Sequence, residues 1–433
     1  MLRTIFRAMR YRNFRLFFIG QGISLVGTWM EAVAMSWLVY RMTNSPLVLG
    51  IVGFSSQIPT FIFSPFAGLL ADRVDRRKIL IVTQSLLMLQ AVVLTVLTLT
   101  GTIAVWHIIV LGVVLGLINS FDIPARQAFI VEMVEKKESL ANAIALNSLM
   151  FNVARLIGPS IAGVIIAIMG EGICFLLNAV SFTAVIASLA AMDIKRRASE
   201  KTPIRLFDEL REGFLYTFGF QPIRFIILLL AVISLMGASY IVLMPVFAKD
   251  VLGGGPETFG LLMAAIGVGA LAATIYLASR KSIVGLGGMI PVCASIFAAG
   301  LIAFSFSRSL WLSVLLLAIS GFGFMTHMAA SNTILQTISD DDKRGRVMSF
   351  YTMAFMGMAP LGSLLAGTLA NKIGAGNTLI IGGVCCVLAS GIFATKLPLI
   401  KKQIHPIYRK MGIIPEVASG IGSATRLTLP PED

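Results

Sequence analysis

Residues 68–78 read Gly68-Leu-Leu-Ala-Asp-Arg-Val-Asp-Arg-Arg-Lys78 and place six charged side chains between two long apolar segments. Such a cluster cannot lie in hydrocarbon, so the stretch predicts a tight loop at a membrane surface between two spanning helices. Asp72 needs a partner there, because an unpaired acid at a membrane boundary is costly. It either stabilises one state of a gate, by pairing with a cation or capping a neighbouring helix, or the loop is only a topology signal with lipid contacts. The candidate gating residues are Gly68, Asp72, Arg73, Arg76, Arg77 and Lys78.

The composition predicts an all-α membrane protein. The chain has 433 residues, of which 57% are hydrophobic and 13% charged, whereas a soluble domain carries roughly a quarter charged residues. The apolar residues fall into twelve continuous runs, each long enough for a helix of about 20 residues to cross a bilayer. We therefore predict two six-helix bundles at 1–192 and 223–400, a cytoplasmic linker with an amphipathic helix at 193–222, and a cytoplasmic tail at 401–433.

The basic residues predict the orientation. The net charge is +14, with 35 Lys and Arg, and all but five of these lie in the N-terminal arm, the even-numbered loops or the tail. This asymmetry places both termini in the cytoplasm, and it makes anionic lipid the partner in place of nucleic acid. The five exceptions are Arg41, Lys249, Arg308 and Lys372 on the opposite side, where Arg41 is expected to be dispensable, and Arg155 inside a helix.

Catalytic chemistry has no support in the sequence. The four cysteines lie in apolar runs without ligand spacing, and the three histidines are scattered, which argues against a metal site. No phosphate-binding glycine loop follows a strand, which argues against direct ATP drive. We predict neither an enzyme nor a bound cofactor.

An internal repeat relates the two halves. Ser24-Leu-Val-Gly27 recurs 210 positions later, as does Gly50, and the segment 147–163 aligns with 351–367 at an offset of 204. Parallel six-helix repeats predict a substrate path at the interface between the halves, near the midplane.

Intramembrane polar residues are the candidates for a cavity. Glu31 lies beyond the middle of the first helix beside Trp29, and Arg155 lies at a comparable depth on a stripe with Asn152. Glu31 and Arg155 either pair as a structural ion pair or line a wet cavity, where Glu31 could carry a proton or meet a cation and Arg155 could attract an anion. His327 is either hydrogen-bonded packing or a proton carrier.

Several motifs resemble known transporters. The charged loop at 68–78 resembles the signature loop between the second and third helices of the major facilitator superfamily. The segment 154–163, with Gly158, Pro159 and Gly163, resembles the fifth-helix motif of exporters of that superfamily. Four further segments are similar in sequence to the transmembrane secretion effector subgroup, which includes enterobactin-exporter-like proteins. These segments are 27–30, 37–40, 119–129 and 209–213. Within it, Asp122 and Arg126 read as an inner-gate or structural pair.

The resemblance implies a monomeric secondary transporter of the bacterial inner membrane. It would export a small organic molecule, such as a drug, siderophore or other metabolite, by alternating access. Protons are the expected coupling ion, as in an antiporter, although the cavity arginine usual on the fourth helix of proton antiporters is absent. An uptake permease of the same fold and a lipid-handling or non-transporting accessory protein remain as alternatives.

Overall fold

The computed structural model describes residues 7–134, 137–193, 206–280 and 282–411. Within these residues the chain forms helices without strands, and twelve of them are long and apolar enough to span a membrane. This confirms the predicted fold class. The spanning helices are α1 (Arg12–Thr43), α2 (Pro46–Arg73), α3 (Arg76–Leu99), α4 (Val105–Glu132), α5 (Lys137–Met169), α6 (Glu171–Ala190), α7 (Gln221–Val251), α8 (Pro256–Ser279), α9 (Leu286–Phe306), α10 (Leu310–Ile338), α11 (Arg344–Ile373) and α12 (Ala375–Lys410).

The charged stretch is a two-residue turn and not a loop. Helix α2 continues through Arg73, and α3 begins at Arg76, so most of the charged residues belong to helix ends. The side chains of Gly68, Asp72 and Arg73 lie outside the described part of the structure. The helix cap observed here is Asp75, whose carboxylate accepts the backbone N–H groups of Arg77 at 2.9 Å and Lys78 at 3.3 Å.

The basic residues after this turn hold the ends of the first bundle together. Arg76 forms an ion pair of 2.6 Å with Glu132 at the end of α4. Arg77 donates to the carbonyl oxygens of Leu189 and Ala190, both at 2.7 Å. It thereby supplies hydrogen bonds to carbonyl groups in the last turn of α6, which lack the regular helical partner four residues later. These two side chains bind protein, while Lys78 is exposed. The turn therefore ties α3 to α4 and α6.

Glycine contacts join the two bundles in symmetric pairs. A Cβ on Gly260 would lie 2.5 Å from the Pro159 carbonyl oxygen and 2.9 Å from the Cα of Gly163, so α5 and α8 touch backbone to backbone. A Cβ on Gly50 would lie 2.7 Å from the carbonyl oxygen of Ser363 in α11, beside Gly367. The repeat offsets relate Gly50 to Gly260 and Gly163 to Gly367. The two contacts are therefore equivalent under the pseudo-two-fold axis that relates the bundles.

Polar contacts close the same end of the interface, opposite the chain termini. Tyr40 of α1 donates a hydrogen bond to Asp250 of α7, its own counterpart at the offset of 210. Lys249 donates to the Asn44 side-chain oxygen at 2.5 Å. Trp37 stacks on Phe259, with ring centroids 6.1 Å apart. The bundles are therefore held together at this end.

Two helices at the interface are irregular. Helix α7 changes to π geometry at Ile233–Gly237 and to 3-10 geometry at Ala238–Leu243, just before Pro245. Helix α11 has a π turn at Met353–Gly357, just before Pro360. A proline cannot donate to the carbonyl four residues earlier and crowds the preceding turn, which accounts for the 3-10 segment of α7 and the π turn of α11.

A helix at Leu206–Gly219 connects the bundles and falls within the segment where the sequence predicts an amphipathic linker helix. Its Phe214 and Phe218 rings lie 6.1 Å from that of Phe350, so the helix packs on α11. The Tyr216 hydroxyl donates to Asp340 at 3.1 Å, and partial burial raises the pKa of this tyrosine. Residues 194–205 lie outside the described part. The last helix runs on to Lys410, beyond the predicted bundle end at 400.

Candidate functional site: a cavity lined mainly by the first bundle

The candidate site is a cavity of about 480 Å³, a size typical of sites for small organic ligands. Helices α1, α2, α3, α4, α5 and α6 supply nearly all of its walls, and Ile241 and Val242 of α7 supply the rest. It extends from Glu31 and Met35 towards Arg126, at the end of the bundle where the chain termini lie. At the opposite end of the bundles, the glycine contacts and the Tyr40–Asp250 bond close the interface, and we refer to this end as the closed end. This arrangement corresponds to an inward-facing state if the termini are cytoplasmic.

Glu31 lies deep in this cavity wall and is only 4% exposed. The amide of Asn178 in α6 donates a hydrogen bond to its carboxylate. The Asn178 oxygen in turn accepts from Ser181 at 3.2 Å, which directs the amide nitrogen towards Glu31. Gly27 makes room for this, because a Cβ there would lie 2.6 Å from the Asn178 oxygen. Among the described residues Glu31 has a neutral partner and no cation.

The predicted pair of Glu31 with Arg155 is therefore not formed. The Arg155 guanidinium carbon lies 5.2 Å from the centre of the Trp29 ring and 5.5 Å from that of Phe151. These two rings meet edge to face at 5.9 Å and both line the cavity. The Arg155 Nε is buried without an acceptor, and the side chain makes no hydrogen bond or ion pair with any described residue. Arg155 is not itself a lining residue. It stacks on two rings that are, and its charge has no partner among the described residues.

The fifth-helix motif positions this wall. A Cβ on Gly158 would lie 2.5 Å from the Cβ of Trp29 and 2.9 Å from the Val26 carbonyl oxygen. Gly158 therefore lets α5 approach α1 closely enough to fix the Trp29 ring beside Arg155. Gly163, five residues later, faces α8 of the second bundle. The two glycines of the motif contact different bundles, so α5 connects the cavity wall to the interface.

Asp122 and Arg126 form an ion pair of 3.2 Å at the other end of the cavity. Asp122 also accepts hydrogen bonds from Thr83 and the Gln84 amide, both at 2.8 Å. Its carboxylate is thus satisfied within the first bundle and ties α4 to α3. Arg126 is 20% exposed and lines the cavity. The geometry fits a structural pair, and the gate role remains a prediction.

Three of the predicted cavity residues do not line this cavity: Arg155, described above, Asn152 and His327. Asn152 is buried and donates to the Ser148 carbonyl oxygen at 2.9 Å, while its own side-chain oxygen has no partner among the described residues. His327 is fully buried in α10 of the second bundle, where neither ring nitrogen has a geometric hydrogen-bond partner. The described residues contain no cluster suited to a metal ion.

Sequence reasoning missed Asn178, Gln84 and Gln90, all three of which are buried and line the cavity. Isolated amides carry no charge, so they do not stand out in an apolar helix as Glu31 and Arg155 do. The repeat offered a further signal. The counterparts of Glu31 and Arg155 in the second half are Ile241 and Ala359, so only the first half carries ionisable groups at these positions.

Comparison with known proteins agrees with this architecture. The chain is 29% identical over 387 residues to a staphyloferrin A transporter of Staphylococcus aureus, covering 88% of this chain and 95% of the relative. It is 24% identical to the multidrug efflux pump Tap of Mycolicibacterium fortuitum, covering 87% and 93%. In fold it is similar to a bacterial homologue of the human lysosomal transporter Spinster in an inward-facing, unoccupied conformation, with a TM-score of 0.70, 14% identity, and coverage of 90% and 98%.

The family model described as transmembrane secretion effector matches residues 3–412, almost the entire chain. The family model and the relatives together establish an integral membrane protein that is a transporter and not an enzyme. The chain belongs to the transmembrane secretion effector family of the major facilitator superfamily.

Proposed function

We propose that this protein exports a small organic molecule across the cytoplasmic membrane by alternating access, with both termini in the cytoplasm. The observation that carries the proposal is the 480 Å³ cavity, which has its closed end at the interface contacts opposite the termini. Rocking the bundles apart at the Gly50–Gly367 and Gly163–Gly260 contacts would open that end. The similarity to Tap, a multidrug efflux pump, supports the outward direction.

Glu31 is the proposed proton carrier. Asp122, the other acid that lines the cavity, is held by Arg126, Thr83 and Gln84, whereas Glu31 has the neutral Asn178 as its partner. A buried carboxyl without an adjacent cation can take up and release a proton as its surroundings change. This supports proton coupling through the first bundle alone.

The experiment begins with a thermal-shift screen of purified protein against siderophores, antibiotics and lipids. Each stabilising compound is then followed in everted and right-side-out membrane vesicles. Energy-dependent accumulation in everted vesicles is the result expected of an exporter. Accumulation only in right-side-out vesicles would establish the uptake permease instead. Movement of lipid headgroups alone would establish the lipid-handling alternative.

A further inference from the structure

Arg155 lies directly against Trp29 and Phe151 of the cavity wall, and the transport scheme above does not use it. It lies in a spanning helix, where a charged side chain is costly unless it has a partner or a function. No described residue supplies an acceptor to its guanidinium, and the nearby carboxyl of Glu31 is bound by Asn178. An arginine stays protonated in proteins, so the positive charge persists in the empty protein. The charge is therefore available to a ligand.

The surroundings of Arg155 define what such a ligand would look like. Trp29 and Phe151 flank the guanidinium and form part of the cavity wall, so they offer a flat apolar surface next to a cation. Guanidinium groups bind carboxylates and similar planar anions through two parallel hydrogen bonds. Aromatic side chains hold planar apolar groups by stacking. The combination fits a compound with both features.

Tyr240 brings the second bundle into this arrangement. It lies on α7 within electrostatic range of Arg155, is 1% exposed, and makes no hydrogen bond to a described residue. Its hydroxyl is a donor on the opposite side of the bundle interface. An anion between Arg155 and Tyr240 would contact both bundles at once. Such a contact can differ between the two states of a rocking transporter, as a substrate that drives the change requires.

We propose that the cavity binds an amphipathic organic anion, with a carboxylate or equivalent acid group held by Arg155 and Tyr240 and an apolar ring system against Trp29 and Phe151. This inference rests on the proposed transport function and names its substrate class. It sets aside the cationic compounds that Glu31 alone would favour.

The probes are fluorescein, an anionic xanthene dye, and rhodamine 123, a cationic dye with the same xanthene body. Equilibrium binding to the purified full chain is measured by fluorescence polarisation, with detergent alone as the blank and no gradient imposed. Arg155→Gln is expected to weaken fluorescein binding about tenfold or more, because it removes a charge-assisted hydrogen-bond pair. Tyr240→Phe is expected to weaken it a few-fold, and rhodamine 123 binding is not expected to weaken in either variant.

Arg224→Gln is the matched control. Arg224 also lies in a spanning helix and over an aromatic ring, 5.3 Å from the centre of Phe225, but this ring does not line the cavity, whereas Trp29 and Phe151 do. Fluorescein affinity in this variant should equal that of the wild type.

Thermal unfolding of Arg155→Gln without ligand separates a binding role of Arg155 from a structural role. Replacing a buried unpaired charge should leave the melting temperature unchanged or higher, whereas loss of a structural partner would lower it.

Equal fluorescein affinity in the wild type and Arg155→Gln would overturn the proposal, as would a wild type that binds rhodamine 123 but not fluorescein. The export proposal and the anion-site proposal can fail independently of each other. Vesicles that move a cationic compound while fluorescein does not bind would refute the anion site and leave export intact. If fluorescein binding depends on Arg155 but no compound moves in vesicles, the anion site is supported and export is refuted.

Discussion

The contact between α5 and α8 allows the alternating-access scheme to be tested with a single methyl group. In Gly260→Ala the added Cβ would lie 2.5 Å from the Pro159 carbonyl oxygen and 2.9 Å from the Gly163 Cα. Both contacts are with backbone, which cannot rotate away as a flexible side chain can. Overpacking of this kind costs about 1–3 kcal/mol. The cost falls only on the state in which the bundles touch, so it should shift the equilibrium towards outward opening by roughly 5- to 150-fold.

The matched control is Gly391→Ala in α12, where an added Cβ would have no atom within 4 Å. Both substitutions raise helix propensity by about 1 kcal/mol, and that gain is the same in the open and closed states. Any difference between them therefore reports the interface contact.

The assay is double electron–electron resonance between spin labels at Met42 and Glu257. Both are exposed residues at the closed end, one on each bundle. Wild type and Gly391→Ala should give mainly the short distance, and Gly260→Ala should add a longer one. A distance distribution in Gly260→Ala that matches the wild type would refute the assignment of this contact as the closed gate.

Two further predictions concern the ends of the first bundle. Asp75→Ala should lower the free energy of unfolding by about 0.5–2 kcal/mol, because it removes the α3 helix cap, while the exposed Lys78→Gln serves as control in the same denaturation series. Asp122→Asn should destabilise by about 1–3 kcal/mol and still bind ligand, because it weakens bonds to Thr83 and Arg126 that lie within one bundle. Unchanged stability in Asp75→Ala, or abolished binding in Asp122→Asn, would contradict these assignments.

The contacts of Arg41 show that a predicted position on the outer side does not make a residue structurally unimportant. Placed on the outer side by sequence, it appeared expendable, yet it donates hydrogen bonds of 2.8 and 3.0 Å to both carboxylate oxygens of Glu171, whose side chain is only 5% exposed. Removing Arg41 would strand a buried carboxylate, which is costly. It is therefore unsuitable as an inert control, while its effect on flux stays a prediction.

The spanning helices could be predicted because each needs about 20 apolar residues, and the charged interruptions at 72–78 and 31 stand out against that background. The residues that contact those charges could not be predicted from the sequence. The sequence left open whether Glu31 pairs with Arg155 or lines a wet cavity, and helix packing placed the neutral Asn178 beside Glu31. The irregular turns in α7 and α11 depend on how a proline is accommodated by neighbouring helices, which spacing alone does not specify.

The repeat held more information than the motifs did. Residues that are equivalent under a two-fold axis can touch only near that axis, and Tyr40 and Asp250 are such a pair. The offset of 210 that matched Gly50 with Gly260 also relates these two residues. The same offsets show that the acid and the arginine of the first half have apolar counterparts, which predicts a cavity with its charged groups on one side.

The central claim is that Glu31 couples export to the proton gradient, and flux in proteoliposomes with and without an imposed pH gradient tests it most directly. The compound measured is one identified by the thermal-shift screen. Glu31→Gln should still bind it, but its flux should no longer respond to the gradient. The control Glu257→Gln changes an exposed acid at the closed end and should respond as the wild type does. If flux in Glu31→Gln follows the gradient as strongly as in the wild type, the proton carrier is not Glu31 and the account of coupling is wrong.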